Sequence, residues 1–81
     1  MLVKFIITAN SLYPQNTHVG VEWKNIFLPS LGDLISIKDY MSEVKINDYF
    51  KQSIFVVESR TFRRVFDDEF IEIKLNYVQV D

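Results

Sequence analysis

The sequence predicts a mostly β fold: a small curled antiparallel sheet of about five strands, with one short helix or helical turn. Three observations carry that expectation. Runs rich in β-branched and aromatic residues recur along the chain with apolar and polar positions alternating, the period of a half-buried strand. Rings make up 15% of the 81 residues, as seven Phe, four Tyr and one Trp, and large rings fill a small core with few side chains. A chain of this length buries only about 60% of the surface it exposes when unfolded, so nearly every apolar strand position has to face inward. One domain over residues 1–81 follows, and a lone flat sheet would leave too many apolar faces in water.

Residues 2–9, LVKFIITA, read as the first strand, with Val3, Phe5 and Ile7 on a wholly apolar face and Leu2, Lys4, Ile6 and Thr8 on a mixed one. The polar stretch 10–18, carrying Pro14, reads as a loop longer than an ordinary hairpin connection. Residues 19–28 read as the second strand, with Val19, Val21, Trp23 and Phe27 opposed to Glu22 and Lys24, and with a bulge near Asn25-Ile26 where alternation breaks. Pro29 ends it. Ser30-Leu31-Gly32 forms a turn in which Gly32 takes a backbone angle closed to larger residues, and Asp33 leads into Leu34–Ile37.

Residues 39–50 support two patterns. Asp39 is placed to cap a short helix with Tyr40, Met41 and Val44 turned inward, while Val44 and Ile46 alternating with Glu43, Lys45 and Asn47 also fit a strand. The helix is the preferred reading. From Ser53 onward, two long arms flank Asp67-Asp68 and form a hairpin. Without a Gly or an Asn-Gly pair, a type I turn through the two Asp residues, or a longer loop, fits better than a tight primed turn. In the return arm, Ile71, Ile73, Leu75 and Tyr77 oppose Phe70, Glu72, Lys74 and Asn76.

An apolar strand, then LPSLGDLISI, an inserted segment, FVVESRTF and a closing FIEIKL together resemble small barrels of the Src-homology-3 type (SH3-like). Similar Pro-x-x-Gly-Asp turns before an apolar strand occur in short proteins of bacteria, phages and mobile elements. The resemblance covers roughly residues 19–77. Its motif is a turn, so it implies a fold and transfers no activity.

The charge pattern excludes more than it assigns. Net charge is −1 over residues 1–50, +3 over 51–66 and −4 over 67–81, for a total of −2. Such a chain lacks the overall field of a general nucleic-acid binder, and its basic character is local. With no Cys and His18 alone, thiol nucleophiles, thiolate metal sites and paired-histidine sites are excluded. His18, following Gln15-Asn16-Thr17, reads as a solvated loop residue. Gly20 and Gly32 are too far apart for a phosphate-binding loop. The acids Asp67, Asp68 and Glu69 read as a solvated turn, and the pairs Glu58/Glu72 and Asp67/Asp68 carry no sign of the desolvation that acid–base chemistry needs. The expectation is a protein that is not an enzyme, with no catalytic residue, metal or cofactor. It is expected in the cytoplasm, since no apolar run approaches the roughly 20 residues of a membrane span.

Two surfaces remain as candidates. In an extended strand, residues two apart share a face, so Glu58, Arg60, Phe62 and Arg64 line one side and Ser59, Thr61, Arg63 and Val65 the other. A ring between two guanidiniums suits a base or a phosphate. The structural alternative is cross-strand pairing of Arg60 or Arg64 with Glu72 or Glu69. The aromatic residues outnumber what one small barrel encloses, which points to exposed rings; Phe66 beside the acidic turn, and Tyr49 with Phe50, are the candidates. The binding residues named by the sequence are therefore Arg60, Phe62, Arg63, Arg64, Phe66, Tyr49 and Phe50. The leading expectation is a protein-interaction or assembly module, docking a protein partner or a second copy. The alternative is a nucleic-acid-binding small β-barrel using the Arg60–Arg64 strand face.

Overall fold

Alternation in the N-terminal segment is realised as β1 (Leu2–Ile7), whose Val3, Phe5 and Ile7 are completely buried while the residues between them are half-buried. A computed structural model describes residues 1–8 and 16–78. Much of the expected 10–18 loop lies outside the described residues. The remaining elements are β2 (Thr17–Glu22), β3 (Leu34–Ser36), a 3₁₀ turn (Ile37–Asp39), α1 (Glu43–Tyr49), β4 (Ile54–Val65) and β5 (Asp68–Tyr77). The five strands form one curled half-barrel sheet in the order β2-β1-β5-β4-β3, as expected of a small SH3-like fold. Three of the four pairings are antiparallel as expected; β1 and β5 run parallel, which corrects the expectation of a wholly antiparallel sheet, with Leu2 opposite Phe70 and Ile7 opposite Leu75. The molecule measures 39 × 22 × 22 Å along its principal axes.

One face of the sheet carries the core. Val3, Phe5 and Ile7 meet Ile71, Ile73 and Leu75 across the parallel pair, Phe55 and Val57 extend the layer through β4, and Ile37, Ile46 and Phe50 cover it from the segment between β3 and β4. Burial of each such side chain contributes roughly 1.5–3 kcal/mol relative to exposure. Two ring clusters complete it. Phe5, Trp23 and Tyr40 meet with centroids 5.4–6.4 Å apart; Phe50, Phe55 and Tyr77 meet at 5.3–6.2 Å. These offset and edge-to-face arrangements suit the ring quadrupoles.

Several local expectations are corrected. The second strand runs from Thr17 to Glu22, so His18 is an exposed strand residue rather than a loop one, and the chain leaves the sheet at Trp23. Local bonds explain the departure: Asn25 Oδ1 accepts from the Phe27 amide at 3.1 Å, and Trp23 Nε1 donates to the Phe27 carbonyl at 3.1 Å. Such side-chain bonds offer the backbone an alternative to the ladder. No strand therefore exists at residues 25 and 26 to carry a bulge, and Phe27 is exposed rather than inward. The sheet's irregularity falls instead at Glu58, between Val57 and Ser59.

The helix is present, but its cap is Ser42, not Asp39, which belongs to the 3₁₀ turn. Ser42 Oγ accepts from the Lys45 amide at 3.4 Å. Starting at Glu43, the helix turns Ile46 and Phe50 inward at four-residue spacing, and Val44 is left exposed. Tyr40 and Met41 are half-buried against the core, as the sequence predicts. At Pro29–Asp33 the predicted turn forms. Asp33 Oδ2 accepts from the Ser30 amide at 2.8 Å, the Asp33 amide donates to the Ser30 carbonyl at 3.0 Å, and Gly32 has φ 87°.

The hairpin turn is tighter than expected. Val65 pairs with Asp68, leaving Phe66 and Asp67 as a two-residue loop with Phe66 at φ 57°. A left-handed first position is what primed turns require, and their twist matches that of the flanking strands. The preference of the strands for that twist prevails over the cost of a bulky residue there, about 1–2 kcal/mol.

Candidate functional site

The site is built by β4, which changes environment halfway along. Up to Val57 it is flanked on both sides: β5 lies on one, and β3 pairs with residues Ile54–Val56 on the other. The turn after Pro29 extends that second side by one residue, the Gly32 amide donating to the Val57 carbonyl and the Val57 amide to the Asp33 carbonyl, both at 2.9 Å. Then the bulge at Glu58 intervenes. From Ser59 to Val65, β4 stays paired with β5 through an unbroken register, and no described strand pairs with its outer side.

The register fixes the two faces. Arg60 lies opposite Ile73, Phe62 opposite Ile71 and Arg64 opposite Glu69, so these three project on the side of the sheet that carries the core, beyond the part that α1 covers. Ser59, Thr61, Arg63 and Val65 project on the other side, opposite Lys74, Glu72, Phe70 and Asp68. The grouping of Arg60, Phe62 and Arg64 is thus as the sequence predicts; Glu58 drops out of it at the bulge.

The three arginines do different things. Arg63 Nε lies 3.0 and 3.1 Å from the two Glu72 carboxylate oxygens. Arg60 Nη1 donates to the Pro29 carbonyl at 3.3 Å, tying the loop to the hairpin. Arg64 makes no hydrogen bond or ion pair with any described residue, although Glu69 faces it across the ladder. The expected cross-strand pairing therefore occurs, but through Arg63: it reaches diagonally to Glu72 on the same face, while the bulge sends Arg60 to the opposite one. On that outer face Lys74 also approaches Glu58 at 3.9 Å, and Lys4 Nζ stands 4.2 Å from the Phe70 ring centre. Those contacts make the Arg63 face a self-neutralised, solvated surface, each exposed pair contributing roughly 0.2–1 kcal/mol.

Among the described residues, two of the three exposed phenylalanines lie at the same end. Phe62 is 74% exposed and Phe66 93%, with Val65 at 49%. Tyr49 and Phe50 are corrected: Phe50 is fully buried and packs edge-on against Phe55 at 5.5 Å, and Tyr49 is half-buried beside it, so both belong to the core. Sequence reasoning missed Ile26, Phe27, Leu31 and Leu34, which are all exposed on the loop and strand that precede the 3₁₀ turn. Their apolar character was visible, but the local bonds that lift residues 24–28 out of the sheet were not.

Acidic groups do not gather. Asp68 and Glu69 alternate in β5 and so project on opposite faces, and among the described residues no group of three or more His, Asp or Glu side chains is placed to hold a metal ion. The carboxyl of Glu22 is held below its usual value, first by the hydrogen bond it accepts at 2.8 Å from the Met1 amino group and then by that group's charge. It lies at the opposite edge of the sheet, on β2. Among the described residues no helix is long and apolar enough to cross a membrane. No family model matches the chain, and neither a curated protein nor a solved structure matches it.

Proposed function

We propose that the chain is a non-enzymatic protein-interaction or assembly module, and that the distal half of the β4–β5 hairpin is its docking element. The observation that carries this reading is the exposure of Phe62, Val65 and Phe66 on a rigidly paired arm whose outer edge is open. Exposed aromatic residues beside an arginine are the side chains that dominate binding at protein interfaces, since they bring large area at low entropic cost. Fixed strand backbone lowers that cost further. The test compares co-purification by the tagged wild-type chain and by a Phe62→Ser, Phe66→Ser variant expressed in the source cells. Loss of a wild-type partner from the variant, with its denaturation midpoint unchanged, supports docking through the hairpin. Identical captured proteins, together with a strictly monomeric wild-type chain, overturn it.

A second reading, a nucleic-acid-binding barrel, is favoured by one observation: Phe62 stands on one face between Arg60 and Arg64, the latter bonded to no described residue. Binding through phosphates requires affinity to fall steeply with salt and to collapse in an Arg60→Ala, Arg64→Ala variant. Failure to retard a pool of single- and double-stranded oligonucleotides at low salt removes this reading. The resemblance to short proteins of phages and mobile elements belongs to the docking reading, and adjacent phage, plasmid or conjugation genes would support it.

A further inference from the structure

The open side of β4 has a definite hydrogen-bonding pattern. In an antiparallel ladder, residues alternate between those that bond the partner strand and those whose amide and carbonyl point away. Val57 points away from β5, since both its groups bond the Gly32–Asp33 turn. At the other end, Val65 and Asp68 flank a two-residue loop, the position at which the closing pair bonds across the hairpin. Counting back from Val65 and forward through the bulge from Val57 gives the same answer. Ser59, Thr61, Arg63 and Val65 bond β5, whereas Arg60, Phe62 and Arg64 present their amides and carbonyls outward.

The residues that offer the backbone edge are therefore the same three whose side chains form the exposed cation–ring–cation row. A strand added antiparallel at this edge would set its alternate residues directly opposite Arg60, Phe62 and Arg64 and on their face, within reach of cross-strand pairing. The segment from Ser59 to Val65 spans about 20 Å, the length of an ordinary strand.

Charge selects the occupant. A second copy is disfavoured: the antiparallel self-pairing centred on Phe62, which joins the most residues, places Arg60 opposite Arg64 twice, and like charges in that position are destabilising. Arg60 keeps four N–H donors beyond the one given to Pro29, and Arg64 keeps all five. Both suit a carboxylate, which guanidinium binds in a two-pronged geometry. The outer face adds no competing demand, because Arg63 is already held by Glu72.

We propose that the outer edge of β4 accepts an extended acidic segment of another protein, in which a carboxylate, an apolar residue and a second carboxylate occupy alternate positions opposite Arg64, Phe62 and Arg60. This deepens the docking reading and rests on it. The apolar residue covers the Phe62 ring, the two carboxylates neutralise the row, and the backbone of the segment satisfies the outward amides and carbonyls.

Fluorescence polarisation on the full chain tests it with three labelled peptides. One carries Glu-Thr-Ile-Thr-Glu at its centre, one the same residues with the two Glu adjacent, and one Lys in place of each Glu. The first is expected to bind at least about tenfold more tightly than the other two. It is expected to shift the amide resonances of residues 59–65 while leaving those of β1 in place. Arg64→Glu, a change at an exposed side chain, is expected to reverse the preference between the Glu and Lys peptides. Equal binding of the matched and rearranged peptides, or unshifted β4 amides, overturns the inference. So does a single-stranded oligonucleotide that displaces the matched peptide more effectively than an unlabelled copy of it, which assigns the face to nucleic acid. If the matched peptide fails while the Phe62→Ser, Phe66→Ser variant still loses a captured protein, docking stands and only the acidic-strand partner falls.

Discussion

From Ile54 to Val57, strand β4 lies between β5 and β3 with the helical segment over one face, and there its inward residues Phe55 and Val57 are almost fully buried. From Ser59 to Val65 β5 is the one described strand beside it, and every residue but Ser59 is exposed. Both halves pair with β5, and both carry rings. The difference is what lies above them: Phe50 closes over Phe55 at 5.5 Å, while the described residues place no ring against Phe62. Strand pattern alone thus does not say whether a face is core. An amphipathic arm acquires a core only where a second layer reaches it, and the short α1 reaches only one end.

The proximal half should dominate stability. Replacing Phe50 by Ala removes a fully buried ring and is expected to cost about 3–5 kcal/mol, read as a lower urea midpoint at unchanged slope; a loss below about 1 kcal/mol would contradict the division. Ser42→Ala removes the cap of the helix that covers this half. With a long 3.4 Å bond the expected loss is about 0.5–1 kcal/mol, measured the same way. At the far end the sign reverses: Phe66→Gly relieves the left-handed backbone at φ 57° and is expected to raise stability by about 0.5–1 kcal/mol. Phe62→Ala should leave the midpoint within about 0.5 kcal/mol while weakening partner capture, which separates a ring kept for binding from one kept for folding.

The smallest effect belongs to Glu22, outside both halves. Its folded pKa is depressed by the Met1 amino group, so the associated stability is present above the unfolded value and is lost as pH falls through the folded one. A carboxyl resonance titration should place its midpoint below the ordinary glutamate value.

Alternation was enough to read β1, β4 and β5, because each has a face that is either buried or solvated along several consecutive turns of the pleat. Val3, Phe5 and Ile7, and Ile71, Ile73 and Leu75, followed directly. The Gly32 turn was legible as well, since few residues tolerate its backbone. What the sequence did not carry were outcomes of competition between local bonds and ladders: the end of β2 at Glu22, decided by Asn25 and Trp23, and the helix start, where Ser42 displaced Asp39. The candidate site was half legible. The row of Arg60, Phe62 and Arg64 follows from strand period, but which arginine finds Glu72 depends on a single inserted residue at Glu58. The exposure of Phe62 and burial of Phe50, two rings in comparably polar surroundings by sequence, depend on where α1 lands.

The parallel pairing of β1 with β5 also sets an order of assembly. The β4–β5 hairpin is local in the chain and closes a short loop, whereas β1 finds β5 only after every intervening element has been synthesised. Long-range pairings of this kind slow folding, because the entropy of closing the loop precedes any reward from the contact. On the ribosome β1 would wait with its apolar face uncovered until β5 emerged, and a chaperone that shields extended apolar segments would find its substrate in that interval.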